Sequence, residues 1–214
     1  MIGDKIHIKE EYLYNARKIK NLLESQIRSN PVFVITIGGE SGSGKSVTAS
    51  CLKLVLDEAN IPTLILHQDD YFHLPPKTNH SQRQKDISHV GQSEVNLNLL
   101  QDHVNLFLQQ APEIKKPIVD YQANEIHKET VSFENIQCLI IEGTYVLDLQ
   151  NSAFKIFIER TYIDTLEKRK LRARDIMDDF GEKVLEIEHH IIREMRVHAD
   201  LYIQKDYSIR LKNK

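Results

Sequence analysis

Eight consecutive residues, Gly39-Glu40-Ser41-Gly42-Ser43-Gly44-Lys45-Ser46, fit the pattern G-x-x-x-x-G-K-[ST]. Glycine lets the backbone turn tightly and aim its N–H groups at phosphate oxygens. A helix opening near Lys45 adds its positive end. In such a loop the Lys45 ammonium meets the β- and γ-phosphates, and the Ser46 hydroxyl is a ligand for Mg²⁺. The backbone from Gly39 through Val47 is therefore the candidate nucleotide cradle. The competing reading is a Gly/Ser-rich loop that matches by accident. With glycine near 7% of average usage, that has odds of order 1% or less in about 200 residues. The motif implies a nucleoside triphosphate and leaves the reaction open.

Two other stretches bring carboxylates to the same kind of place. Leu64-Ile65-Leu66-His67 runs into Gln68-Asp69-Asp70, and Leu139-Ile140-Ile141 runs into Glu142-Gly143. In an open α/β sheet, ligands gather at the C-terminal ends of strands. A carboxylate there can order a metal's water shell or take a proton from an attacking hydroxyl. The plain alternative is that acids cap strands and start helices, and for Asp70 the two readings are equal.

The elements that must position these groups follow from periodicity. Tyr12, Ala16, Ile19, Leu23 and Ile27 recur at helical spacing, so residues 9–29 read as an amphipathic helix, stopped by Asn30-Pro31. Residues 32–37 are apolar on nearly every position, as in a strand buried on both faces of a parallel sheet. A helix to about Asn60 follows the loop, and residues 63–67 are the next strand. Residues 68–93 read as polar and irregular, and 94–110 as a helix. Residues 117–121 read as a short strand, 125–135 as a weak hairpin, and 137–142 and 154–159 as strands. A charged helix over 164–178 ends at Gly181. A helix over 183–198, a strand over 199–204 and an edge-strand tail complete the chain. Strands alternating with helices imply a doubly wound, three-layer α/β/α domain with a mainly parallel sheet. The expected organisation is an N-terminal helix, 1–30, packed on or beside a core domain, 31–214.

Composition narrows the class. The 214 residues are 41% apolar, enough for a sizeable core. Lys+Arg number 28 against 31 Asp+Glu, a net −3 that lacks the basic excess of a nucleic-acid coat. No apolar run approaches the roughly 18 to 20 residues of a membrane span, and MIGDKIHIKEEY lacks a signal-peptide core. Two cysteines, Cys51 and Cys138, make no disulfide framework, and the expected location is the cytoplasm.

The segments IGGESGSGKS, HQDDYF, PIVDYQANEI, LIIEGTYVL and ADLYI, in that order, resemble the uridine kinase and phosphoribulokinase family of P-loop kinases. The likeness covers about residues 31–205 and leaves out the first helix. It implies ATP and Mg²⁺, with Ser46 and Glu142 on the metal side. It also implies Asp69 as the base that takes the acceptor hydroxyl's proton, beside Lys45 at the phosphates. Tyr71-Phe72 match the aromatic pair that follows the family's strand-end Asp, and Asp120-Tyr121 match the Asp-aromatic pair of its acceptor loop; all four are substrate-binding candidates, with Tyr121 as a stacking wall, and His89 is a further one. The run Lys168-Arg169-Lys170-Leu171-Arg172-Ala173-Arg174-Asp175 resembles the family's arginine-rich lid. Its arginines, Arg169 and Arg174 foremost, would clamp the transferring phosphoryl group. A solvated helix face is the alternative for that run.

The acceptor half departs from the family. Ser88-His89-Val90-Gly91 replaces an acid-bearing stretch, and Val119, Asn124 and Ile126 stand where an aromatic, a His and an Arg are usual. Asp179-Phe180-Gly181-Glu182 replaces the lid's Gly-Arg-Asp. The expected function is ATP-dependent phosphorylation of a small-molecule hydroxyl, with uridine or a related nucleoside first and a sugar phosphate or other small alcohol second. A nucleotide-binding switch that lacks an acceptor site is the reading from another class. The expected partners are ATP and a small acceptor, with no nucleic acid and no membrane. The tail could also pair with a second copy in a homo-oligomer. The histidines lack zinc-ligand spacing, and the two cysteines read as core packing. Arg193 and Arg196 read equally as phosphate contacts or as surface pairs.

Overall fold

The computed structural model describes residues 8–166 and 179–212. Strands β1 (Phe33–Gly39), β2 (Thr63–His67), β5 (Cys138–Gly143), β6 (Phe154–Ile158), β7 (Leu201–Ile203) and β8 (Ile209–Leu211) form one sheet. Their order is β2-β5-β1-β6-β7-β8, parallel except for β8. Every residue of β1 and β5 is buried, which requires cover on both faces.

Alternation divides that cover. Phe33, Ile35, Ile37, Cys138 and Ile140 point into a core shared with α1 (Glu10–Arg28) and α2 (Lys45–Glu58). Val34, Leu139 and Ile141 point the other way, into a core with α4 (Leu97–Leu108) and α5 (Asp179–Met195). The apolar stripe of α1, from Tyr12 to Ile27, lies in the first of these cores. Asn96 opens α4 by accepting from the Leu99 amide, which trims the expected helix to start at Leu97. Burial pushes the thiols of Cys51 and Cys138 up to about 11 and about 12, so both stay protonated packing residues.

Three stretches differ from the sequence reading. The polar segment 68–93 holds a helix, α3 (Pro76–Lys85), which the pattern hides because Asn79 is its one buried residue. The strand expected at 117–121 begins earlier, as β3 (Glu113–Asp120), and pairs antiparallel with β4 (Glu125–Ser132) in a separate hairpin. Lys115-Lys116 masks its alternation. Yet Lys116 is buried, with its ammonium 3.0 Å from Asp70 and 2.7 Å from Glu129. Gly181 does not break a helix; it lies within α5. A helical glycine costs only about 1 kcal/mol, and the buried Val184, Ile192 and Met195 decide the matter. Most of the charged helix expected over 164–178 lies outside the described residues. The tail forms β8, paired to β7 with Leu201 opposite Leu211.

The register fixes what matters for chemistry. Ile37 and His67 both pair with Glu142, so β1, β5 and β2 end at one level. The glycine-rich loop, Glu142 and Asp69 therefore emerge together at one sheet edge.

Leu23 is fully buried beneath α1, whereas its neighbour Leu22 is 41% exposed. Leu23→Ala should lower unfolding free energy by about 2–5 kcal/mol, the cost of a core cavity. Leu22→Ala should stay within about 0.5 kcal/mol. Urea unfolding of the two variants checks this, and equal effects would contradict the packing of α1.

Candidate functional site

The loop between β1 and α2 carries its own conformational requirements. Gly44, just before α2, has φ +106°, and a side chain there would meet the Tyr12 hydroxyl at 2.8 Å. No side chain caps α2, and no acid stands in its first turn. Its opening N–H groups are thus left for an external anion. Lys45 Nζ donates to the Glu40 carbonyl at 2.9 Å, so the ammonium is folded back over the loop. Ser41 and Gly42 are half-buried, while Ser43 and Gly44 are buried. Val47 contributes its backbone only, since its side chain packs in the core.

The Glu40 carboxylate is not available to a nucleotide. Its Oε2 accepts from the Tyr162 amide at 2.6 Å, and its Oε1 lies 2.7 Å from Nδ1 of His189 on α5. Thr165 Oγ1 donates to the Ser41 carbonyl at 3.2 Å. The loop is thus tied to the segment after β6 and to α5. Beside these ties, on the β6–β7 side, opens a cleft of about 550 Å³ lined by Glu40, Thr161, His189, Arg193, Arg196 and Gln204. Arg196 pairs with Glu159 and stacks over Tyr202, so surface pairing accounts for it.

On the other side stand the carboxylates. Ser46 Oγ donates to Glu142 Oε1 at 3.1 Å, and His67 Nδ1 lies 2.7 Å from the same oxygen. Burial works against the Glu142 charge. The His67 hydrogen bond and charge, with Lys45 and Ser46, nevertheless hold it below the usual carboxylate range. Burial also disfavours an imidazolium at His67, but Glu142 keeps His67 above the ordinary histidine value. Asp69 shows the opposite balance. Burial first, then the Glu142 charge, push its carboxyl up, while Lys45 and His67 pull it back. Asp69 is half-buried, with no side-chain hydrogen bond among the described residues. Its fully buried neighbour Asp70 holds Lys116 and the Val119 amide, pinning the β3–β4 hairpin. The even odds for Asp70 thus resolve to a structural role.

The acceptor candidates scatter. Tyr71 is buried to 1% with its hydroxyl 2.8 Å from His103 Nδ1, so it belongs to the core and not to a ligand wall. Phe72 packs against the same core and bridges to Val95. Asp120 closes the β3–β4 turn, its Oδ1 accepting from the Gln122 and Ala123 amides. Tyr121 is half-buried on that turn. His89 Nε2 lies 3.2 Å from Asn79 Oδ1. Arg169, Arg172 and Arg174 lie outside the described residues.

The structure adds residues that held no site role in the sequence reading: His67 beside Glu142, His189 beside Glu40, and an Arg83–Glu94–Glu188 group. Arg83 joins α3 to Glu94 and to Glu188 of α5. His67 had one signal, its place at the end of a buried strand. The others had none, because their partners lie 11 to 149 residues away.

Ser46 and Glu142 offer oxygen donors of the kind Mg²⁺ takes. No group of three or more His, Cys, Asp or Glu side chains is arranged to hold a metal by itself among the described residues.

A profile of the phosphoribulokinase/uridine kinase family matches residues 34–208. A uridine kinase of Bacillus subtilis (strain 168) is 33% identical over 166 residues, covering 72% of this chain and 70% of that protein. A bifunctional alpha-galactosidase/sucrose kinase of Mediterraneibacter gnavus is 27% identical over 190 residues, covering 82% of this chain and 20% of that longer protein. Among solved structures, a putative fructose transport system kinase from Silicibacter sp. TM1040 superposes with a TM-score of 0.66 at 19% identity, covering 86% of this chain and 94% of that one. At that identity the likeness concerns the fold.

Carboxyl-carbon NMR titration should find Asp69 ionising above the ordinary carboxylate range and Glu142 below it. Replacing His67 by Gln removes a cation that favours both ionised forms, so both titrations should move up. The linkage signs are opposite. Stability from Glu142 is present above the unfolded carboxylate value and is lost as pH falls through its folded value. Ionised Asp69 costs stability, so Asp69→Asn should gain stability at neutral pH and lose that gain in acid. A normal Asp69 titration would contradict the site's electrostatics.

Proposed function

The chain belongs to the phosphoribulokinase/uridine kinase family of ATP-dependent small-molecule kinases, and from that premise we propose that it moves the γ-phosphoryl group of ATP onto a hydroxyl of a small acceptor. One observation carries the reading. Asp69, Lys45 and the Ser46–Glu142 pair share one sheet edge, close enough for Lys45 and Glu142 to act on the Asp69 charge.

In this reading the triphosphate lies on the amides of residues 39–47, with Lys45 turned from the Glu40 carbonyl to the β- and γ-phosphates. The nucleoside half extends into the cleft on the β6–β7 side. Ser46 and Glu142 would hold Mg²⁺, which when bound would offset charge on the phosphates. The acceptor enters from the β2 side. Asp69 takes the proton from its hydroxyl as the oxygen bonds to the γ-phosphorus. The bond from phosphorus to the β–γ bridging oxygen breaks, and ADP leaves. The raised carboxyl of Asp69 suits a base that must hold a proton in a partly buried site. The arginines at 169, 172 and 174 would close over the phosphates and exclude water. Glu40, bonded to Tyr162 and His189, would anchor the base of that lid.

A nucleoside such as uridine is the first acceptor to try, since several relatives bear the name uridine kinase. A sugar is the second, supported by the name of the Mediterraneibacter gnavus relative.

The test is coupled ADP release from the purified protein across a panel of nucleosides and sugars. The expected result is an acceptor-dependent signal from at least one compound. In Lys45→Met that signal should fall on the order of 10²–10³-fold, the range for a lost transition-state charge partner. Only slow hydrolysis that ignores every acceptor would favour the switch reading. Wild-type turnover by Lys45→Met would reject the loop as the phosphate site.

A further inference from the structure

Tyr12, in the first turn of α1, reaches the end of the phosphate loop. A side chain at Gly44 would meet the Tyr12 hydroxyl at 2.8 Å, so that hydroxyl lies directly against the bend into α2. The Gly44 carbonyl accepts from the Thr48 amide at 2.9 Å and so starts the helix. The opening amides that follow are the ones left for phosphate. Their aim therefore depends on the Gly44 backbone, held at φ +106°. Burial, then the Tyr207 hydroxyl, push the Tyr12 phenol up. It stays neutral and adds no charge beside the phosphates.

Tyr12 is itself held. Its hydroxyl lies 3.3 Å from the Tyr207 hydroxyl, and the two rings meet edge to face with centroids 5.2 Å apart. Tyr207 stands in the turn between β7 and β8 with φ +66°, a left-handed conformation that a bulky residue keeps only where its surroundings hold it. Asn15, one turn along α1 and buried, donates from Nδ2 to the Tyr207 carbonyl at 2.6 Å. Arg160 donates from Nη1 to the Tyr207 hydroxyl, and its guanidinium lies 4.7 Å from the ring centre. The Tyr207 amide donates back to the Gln204 carbonyl at 2.9 Å. An inward Tyr207 thus fixes the turn whose Gln204, Lys205 and Asp206 line the cleft beside the loop. Arg160 also leads into Tyr162, whose amide holds Glu40. The apolar stripe of α1 accounts for its packing. It accounts neither for a buried Asn15 nor for a hydroxyl set against Gly44, since a polar group is costly to bury without a partner.

Resting on the kinase reading above, we infer that α1, which lies outside the matched residues 34–208, is a working part of the nucleotide site, with Tyr12 as its positioning residue. Tyr12 sets the Gly44 backbone at the phosphate end of Mg·ATP. Through Tyr207, with Asn15 and Arg160 in support, the same helix sets the Gln204–Asp206 wall of the cleft. The effect falls on nucleotide affinity and leaves the acceptor side at Asp69 alone.

The experiment is calorimetry on the full chain with Mg²⁺ and a non-hydrolysable ATP analogue, below the onset of melting, for Tyr12→Ala, Tyr12→Phe and Leu23→Ala. Leu23 lies in the same helix, about 16 Å along its axis from Tyr12, and is buried in the core. Its loss removes packing and spares the Gly44 contact. Tyr12→Ala should weaken nucleotide binding about tenfold or more. Tyr12→Phe keeps the ring and loses only the hydroxyl. It should recover part of the affinity and stay weakened by about threefold or more, within the range for one lost hydrogen bond. Leu23→Ala should stay within about twofold, a split that general destabilisation would not produce. In turnover with an active compound of the nucleoside and sugar panel, the Tyr12 variants should raise KM for ATP and leave KM for the acceptor within about twofold. Unchanged nucleotide affinity in the Tyr12 variants overturns the proposal. Equal weakening by Leu23→Ala overturns it too, since the helix would then act through packing alone. Should Tyr12→Ala fail to fold, Tyr12→Phe beside Leu23→Ala decides. The kinase reading fails separately, by a chain that binds Mg·ATP and releases no acceptor-dependent ADP.

Discussion

The hydrogen bonds on Glu142 Oε1 are the constraint on which the rest depends. One carboxylate oxygen receives Ser46 from the first turn of α2 and His67 from the end of β2, and the carboxylate itself ends β5. Three elements are thereby locked at one level of the sheet. The parallel register makes this available, because Ile37 and His67 both stand opposite Glu142. Slipping β5 by one residue would turn Glu142 to the other face and put its neighbour in its place. Such a slip would also break the division of β5 between two cores, so apolar burial defends the chemistry of a polar edge. The close approach behind it is equally strict, since a side chain at Gly143 would meet Gln68 Cβ at 2.3 Å.

From this lock follows an electrostatic division of labour. Two carboxylates and a lysine share a small volume, and they do not share charge evenly. Glu142, bonded to His67 and Ser46, is the easier to ionise; Asp69, without such bonds, is the harder. Neighbouring acids whose environments push them apart suit different tasks, one a fixed anion and the other a group that takes up a proton. The same logic extends outward. Glu40 of the phosphate loop and Arg83 of α3 both reach α5, at His189 and at Glu188, so neighbouring residues of one helix tie down two separate segments.

The parts legible in the sequence were those whose signal is local. Residues 39–46 announce their turn through glycine spacing, and β1 and β5 announce burial on both faces through unbroken apolar runs. The stripe of α1 is equally plain. Where the signal is non-local, reading failed. α3 buries only Asn79, so no stripe exists to find, and β3 hides behind Lys115-Lys116 because the partner of Lys116 is Asp70, 46 residues away. Tyr71 and Asp120 looked like ligand contacts by position. Their hydrogen bonds, to His103 and to the turn at 122–123, depend on tertiary placement that no spacing reveals. The Arg83–Glu94–Glu188 group escaped for the same reason, since it joins segments 11 and 105 residues apart.

The central claim is that the carboxylate at the end of β2 activates an acceptor at the phosphate loop. Asp69→Asn is nearly isosteric, cannot take a proton, and leaves Lys45, Ser46 and Glu142 in place. The decisive measurement is acceptor-dependent turnover of this variant beside its calorimetric affinity for Mg·ATP. Turnover should fall by roughly 10²-fold or more, the range for a lost general base, while nucleotide affinity stays within a few-fold of the unaltered protein. Unchanged turnover would contradict the account, and so would a loss confined to nucleotide affinity.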